Sequence, residues 1–174
     1  ESVTEMILYS RKSAMRIMSF LKERFPGFEE AYIQSFADIP GIRESYRLDG
    51  EYIMTEKDIE ARCRFEDAVA QSAYPIDIHN EKNLVLIHMD PGEYYEIPYR
   101  CMLPREVDNL LVAGRCVSAT FAAQSSMRIQ LTCMALGEAA GRAARIALEE
   151  GVRPSAVDVE KVREELRQTG AYLR

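Results

Sequence analysis

Residues 109–115 read Asn-Leu-Leu-Val-Ala-Gly-Arg, a nearly unbroken apolar run that ends in glycine. Such a run does not alternate as a half-exposed strand must. It fits a strand buried on both faces, as in a parallel sheet. The residues beyond Arg115 narrow the choice further. A small, polar loop runs from Cys116 to Ser126, and a long helix is expected from about Arg128 to Glu150. That helix is rich in small residues, among them Ala135, Gly137, Ala139, Ala140, Gly141, Ala143, Ala144 and Ala147, and Gly151 and Pro154 supply its stop. Gly137 and Gly141 are expected to let it pack closely on its neighbours. Strand, glycine, polar loop and helix is the order in which an α/β sheet presents a ligand site, at the strand's C-terminal end. The start of such a helix offers unpaired N–H groups and partial positive charge to an electron-rich group.

The rest of the chain has a different pattern. Thr4–Arg24 predicts a helix, with Met6, Ile7, Ala14, Ile17, Met18 and Leu21 at three- and four-residue steps, Thr4 as its cap and Pro26-Gly27 as its stop. Residues 28–36 predict a second short helix. Residues 42–47 alternate like a strand, Asp49-Gly50 signals a tight turn, and 51–54 read as the returning strand. Thr55–Ala70 predicts a helix. Residues 74–79 are extended, and 84–89 predict a strand paired with 94–100, where Pro98 requires an edge or a bulge. A last helix is expected from Asp158 to Gln168. The fold class expected is therefore α+β, with an antiparallel sheet plus helices and, apart from it, one strand and helix of parallel α/β type.

Several function classes are excluded. The 174 residues carry a net charge of −6 and no basic stripe, which argues against nucleic acid or an anionic membrane as partner. Arg128, Glu138 and Arg142 interrupt the longest weakly charged run, so it is no membrane span. Cys63, Cys101, Cys116 and Cys133 form no CxxC, and with only His79 and His88 beside them no metal site is expected. Their small or apolar neighbours predict buried or half-buried thiols and a reducing, cytoplasmic setting.

Single residues carry candidate chemistry. Arg43 and Arg100, and less so Arg47, stand on or beside predicted strands with aromatic neighbours, where a guanidinium can clamp a carboxylate. His79 can take a proton. Tyr99 shares a face with Tyr95, and one of the two is expected in the core. Arg115 and Arg128 flank the polar loop. Ser118, Thr120, Ser125 and Ser126 supply hydroxyls there, and Gly114 lets a backbone come close.

The blocks Asn109–Cys116, Ser118-Ala119-Thr120, Ser126-Met127-Arg128 and Thr132–Ala144 resemble the closing segment of the FAD-dependent oxidoreductase family, within the glutathione-reductase-like FAD folds that include fumarate-reductase and thiazole-synthase relatives. Gly41–Glu44, Gly50–Tyr52, Tyr74–His79, Tyr95–Arg100 and Asp158–Leu173 agree with it, so the likeness covers nearly the whole chain. Many relatives have glycine near position 125, where Gln124-Ser125-Ser126 stands here. The resemblance implies FAD as cofactor, hydride transfer between a small organic substrate and the flavin, and a Rossmann-like dinucleotide domain. On it, His79, Arg43, Tyr99 and Arg100 are the catalytic candidates, and Gly114, Arg115, Ser118, Ser125, Ser126, Arg128 and Thr132 the cofactor-binding ones.

Such families hold the ADP half of FAD with a GxGxxG turn, and these 174 residues contain none. The expectation is a C-terminal portion of a longer enzyme, with the turn before Glu1. Residues 1–107 would be the substrate lobe, 108–151 the last strand, loop and helix of the FAD domain, and 152–174 a closing helix and tail. The expected partners are the absent FAD-binding half, a small-molecule substrate and, through orphaned apolar surface, other copies of the chain. The alternative is a non-catalytic binding or assembly module that kept the fold without the cofactor.

Overall fold

The computed structural model describes residues 2–44, 46–79 and 84–173. The chain divides into two units, Glu1–Ile42 and Arg43–Arg174. In the first, Val3–Arg24 forms α1. Ser2, rather than Thr4, caps it, through a capping box with Glu5. No residue of α1 is buried. The segment expected as a second helix, 28–36, is irregular, and its Tyr32 is 78% exposed.

The second unit holds the core. Thr55 and Asp58 cap a short α2, Glu56–Glu60. The expected helix stops there, since Arg62 takes a left-handed φ of 54°. Its guanidinium bonds the Ile59 and Glu60 carbonyls and the Glu93 carboxylate. The chain then turns into β1, Ala68–Ser72, which pairs antiparallel with β4, Tyr95–Pro98. Pro98 ends β4 where the register slips between Ala68 and Ala70, as a residue without an N–H requires. Ile76–His79 forms β2 and pairs antiparallel with β3, Leu84–Ile87. The expected pairing of 84–89 with 94–100 is thus corrected: each of the two strands has an earlier partner, and there are two small sheets.

Among the described residues, 42–44 and 46–47 do not pair with 51–54 as a hairpin either; Ser45 lies outside the described residues. Residues 50–52 lie against 100–104 instead, with the Glu51 and Tyr52 amides donating to the Leu103 and Arg100 carbonyls. Gly50 is buried for a reason other than a turn: a Cβ there would meet the Cβ of Ser118 at 2.6 Å.

Phe121–Met127 forms α3 and Gln130–Glu150 forms α4. Gly151 ends α4 in the left-handed region, φ 66°. Asp158 caps α5, Val159–Gln168. Helix α4 packs on β1 and α5, burying Leu136, Ala139, Ala143 and Ile146. Residues 110–113 lie in no strand, although Ala113 has extended dihedrals. A strand buried on both faces needs a neighbour on each side, and the described residues supply one backbone bond there, from the Val112 amide to the Met102 carbonyl. Leu110 is consequently 44% exposed.

Gly137 and Gly141 also correct an expectation. Both are exposed, and a Cβ at either meets nothing within 4 Å. The opposite situations at Gly50 and Gly137 predict opposite signs in urea unfolding. Gly50→Ala costs about 1–3 kcal/mol by overpacking against Ser118. Gly137→Ala adds about 0.5–1 kcal/mol, the helix preference for alanine over glycine. Equal effects at the two positions would contradict this packing.

Candidate functional site

The loop between residues 113 and 132 is built around α3. Gly114 has φ 78°, a conformation that favours glycine, with open space on its Cβ side. A 3-10 turn spans Gly114–Cys116, and Val117, Ser118 and Ala119 return to the core. There the Ser118 hydroxyl accepts from the Gly50 amide at 3.1 Å, and the Met54 amide donates to the Ser118 carbonyl at 3.2 Å. The Thr120 hydroxyl caps α3 through the Ala123 amide and donates to Glu56 at 3.0 Å; the Glu56 backbone amide first, and then Thr120, hold the Glu56 carboxyl below its usual value.

The other hydroxyls of the loop are committed to the protein. Ser125 Oγ donates to the Ala122 carbonyl and accepts from the Asp77 amide, which joins α3 to β2. Ser126 Oγ donates to the Tyr74 carbonyl at 2.6 Å, so at the 2.7 Å contact with Tyr95 it accepts the phenol proton. Thr132 Oγ1 lies 3.1 Å from Ser72 Oγ. Ser126 therefore sits inside α3 and does not cap α4. Ile129 occupies that N-cap, and no side chain bonds the first turn. Leu131, on that turn, is 75% exposed. The start of a 21-residue helix is thus uncapped and open.

Two arginines border it. Arg115 is exposed and its Nε donates to the Arg128 carbonyl at 3.3 Å. Arg128 Nη2 lies 3.5 Å from the Asp77 carbonyl. The Arg43 backbone meets the same loop, its carbonyl accepting from Gln124 Nε2 at 3.1 Å. The strand packed on α3 is β2, and His79 is its last residue; the His79 side chain lies outside the described residues.

Arg100 and Tyr99 belong to another group. Arg100 grips the Asp67 carboxylate with Nε at 2.8 Å and Nη2 at 3.1 Å, and Asp67 holds the guanidinium pKa above its ordinary value. Tyr99 is buried, and its hydroxyl donates to the Pro154 carbonyl at 2.9 Å. Both line an open pocket of about 530 Å³ with Glu51, Arg64, Phe65 and Ser155. A larger groove of about 950 Å³, between β1, α4 and the C-terminal tail, has lining residues such as Val69, Met134 and Tyr172, and none of the residues singled out in the sequence as site candidates. The thiols are all free. Cys101 is buried, Cys63 and Cys133 are half-buried, and Cys116 is exposed, against expectation. Among the described residues no cluster is placed to hold a metal, and no helix is long and apolar enough to cross a membrane.

A family model described as FAD dependent oxidoreductase matches residues 2–166. The chain belongs to that family. No curated protein and no solved structure matches it. Membership brings flavin-linked redox chemistry. The residues present fit one end of the cofactor. The uncapped α4 start, the open side of Gly114 and the adjacent Arg115 suit an electron-rich ring edge. Nothing in the sequence suits the ADP half, for want of a GxGxxG turn.

Three residues carry no sequence signal of what they hold: Gln124 and Gly50 at this loop, and Asp67 in the separate Arg100 group. Gln124 reads as a departure from the family, Asp67 falls inside a wrongly extended helix, and Gly50 reads as a turn. Their partners lie far along the chain, so no local pattern announces them.

Burial sets an alkaline limit. It pushes the Tyr99 phenol up to about 12 and, at a buried position, the Cys101 thiol up to about 12. The folded pKa values are raised, so the folded state holds more protons than the unfolded chain above the unfolded values of about 8.5 for Cys and 10 for Tyr. Stability is full below those values and falls as pH rises towards 12. Urea midpoints measured between about pH 8 and 11 should drop, and Tyr99→Phe should flatten the upper part of the decline. A pH-independent midpoint would contradict the burial of both groups.

Proposed function

We propose that this chain forms the substrate-facing and ring-end part of an FAD-dependent oxidoreductase that moves hydride between a small organic molecule and flavin. The observation that carries the reading is the open α4 start beside Gly114. When bound, FAD supplies the two-electron acceptor. The chain's own contribution is to fix donors where negative charge gathers on the ring. The α4 end offers that field at about 1 kcal/mol, up to about 2 when partly buried. Arg115 adds a cation at the same turn. Ser118, Ser125, Ser126 and Thr132 act at one remove, because their hydroxyls hold the loop in place. Arg128 ties the α3–α4 junction to β2.

On the substrate side, Arg43 is exposed beside the loop and suits a carboxylate or similar anion. His79, at the end of β2, suits the accompanying proton transfer. Arg100 answers a substrate only by sharing its fork with Asp67, and Tyr99 supports the core behind it.

The layout supports a Rossmann-like complement supplied by residues beyond these. Two apolar stretches are open at least in part: residues 110–113, of which Leu110 is exposed, and an α4 stripe of Leu131, Met134, Gly137, Gly141, Ala144 and Leu148. An extended strand and a small-residue helix face are what a parallel α/β layer needs from its last unit. In this reading 108–151 is that unit, 1–107 the substrate lobe and 152–174 the closing segment. Free thiols accord with a reducing compartment such as the cytoplasm. Without the complement, the same surfaces favour self-association.

Riboflavin fluorescence tests the ring-end site directly. The chain should quench it. Leu131→Glu should weaken quenching roughly tenfold, since a carboxylate there helps the helix yet repels an electron-rich ring edge. Gly114→Val, which fills the open side of a positive-φ turn, should do the same. Unchanged quenching in both, with unchanged circular dichroism, would remove the flavin from this loop.

A further inference from the structure

Within α3, the hydroxyl bonds leave Gln124 aside. Its side chain is buried, with the residue 1% exposed. Nε2 donates to the Arg43 carbonyl at 3.1 Å and to the Arg115 carbonyl at 3.4 Å. Those two acceptors fix the amide's orientation, because a turned amide would set Oε1 against both carbonyl oxygens. Oε1 is then a buried acceptor with no donor among the described residues. An apolar side chain of similar size would fill the position without that cost, so the two carbonyl bonds must offset it.

Those bonds join two segments that share no helix or sheet. Residues 46–49 and 41–44 are irregular, and Gly114–Cys116 is a single 3-10 turn. One further bond connects them, from the Leu48 amide to the Cys116 carbonyl at 2.8 Å. We propose that Gln124 is a positioning residue that binds the Arg43 arm and the Arg115 turn into one unit, so that the substrate-side guanidinium and the ring-side guanidinium keep a fixed relation. The functional meaning rests on the ring-end reading of the α4 start; the tie itself does not. Gln124 touches neither cofactor nor substrate in this role. It acts through the two backbones it holds.

Hydrogen exchange on the unliganded chain decides the tie. In Gln124→Leu, amides in 42–48 and 113–117 should exchange roughly tenfold faster, while α4, α5 and β1 keep wild-type protection. Wild-type exchange in both segments would overturn the proposal. Gln124→Glu guards against a variant that fails to fold. Its protonated carboxyl donates one hydrogen bond and its ionised form none, so protection of the two segments should be greater at low pH after correction for intrinsic rates. Protection independent of pH in Gln124→Glu would mark the side chain as mere filling and overturn the proposal. Riboflavin quenching, measured in parallel, separates the two claims. Loosened segments with weaker quenching support both, and loosened segments with unaltered quenching keep the tie while rejecting the ring-end site.

Discussion

The seating of α3 governs everything at the candidate site. A seven-residue helix is too short to stand alone. It is held by polar bonds that reach distant parts of the chain: Ser126 to the Tyr74 carbonyl and the Tyr95 phenol, Ser125 to the Asp77 amide, Thr120 to Glu56. The Ser126–Tyr95 bond is buried, so losing one partner there strands the other. Tyr95 shows the stakes, since burial raises its pKa. With α3 fixed, Gly114–Cys116 has one place to turn, and α4 starts at one angle from Ile129 with its first turn bare.

That bare turn gives the serine-rich loop a meaning different from its appearance. Hydroxyls in a polar loop invite the reading of ligand donors. Here they face inward, and the groups left outward are backbone N–H groups at the α4 start and the guanidinium of Arg115. Exposed backbone donors with inward-locked side chains make a stiff surface. Stiffness suits a ring whose charge changes during reaction more than a set of rotatable hydroxyls would.

Much of the fold is legible in the sequence where a single element carries its own signals. Helix α4 announces itself by small residues, Gly151 and Pro154, and α5 by Asp158. Pro98 announces the bulge in the β1–β4 pair. The failures share a cause. Residues 51–54, 84–87 and 95–98 all read as strands or near-strands, yet which of them pair is set by contacts across dozens of residues. The helix expected through Ala70 fails because pairing of 68–72 with 95–98 outweighs local helix preference. The apolar run at 110–113 reads as a buried strand; among the described residues it has one backbone bond, to Met102, and pairs with no strand. Around the loop, Gly114, Arg115 and Arg128 stand out in the sequence through the family resemblance, whereas Gln124, and Asp67 elsewhere, declare themselves only through the carbonyls and the arginine they hold.

The proposed division of labour within the cofactor is a grip on the flavin ring and none on the ADP half. Equilibrium titration of this chain with riboflavin and with FAD, at one salt concentration, measures that division directly. The account predicts dissociation constants that agree within a few-fold, because the adenosine and pyrophosphate find no glycine-rich turn. FAD binding more than about tenfold tighter than riboflavin, a gain of about 1.4 kcal/mol, would contradict it by placing an ADP site within these residues.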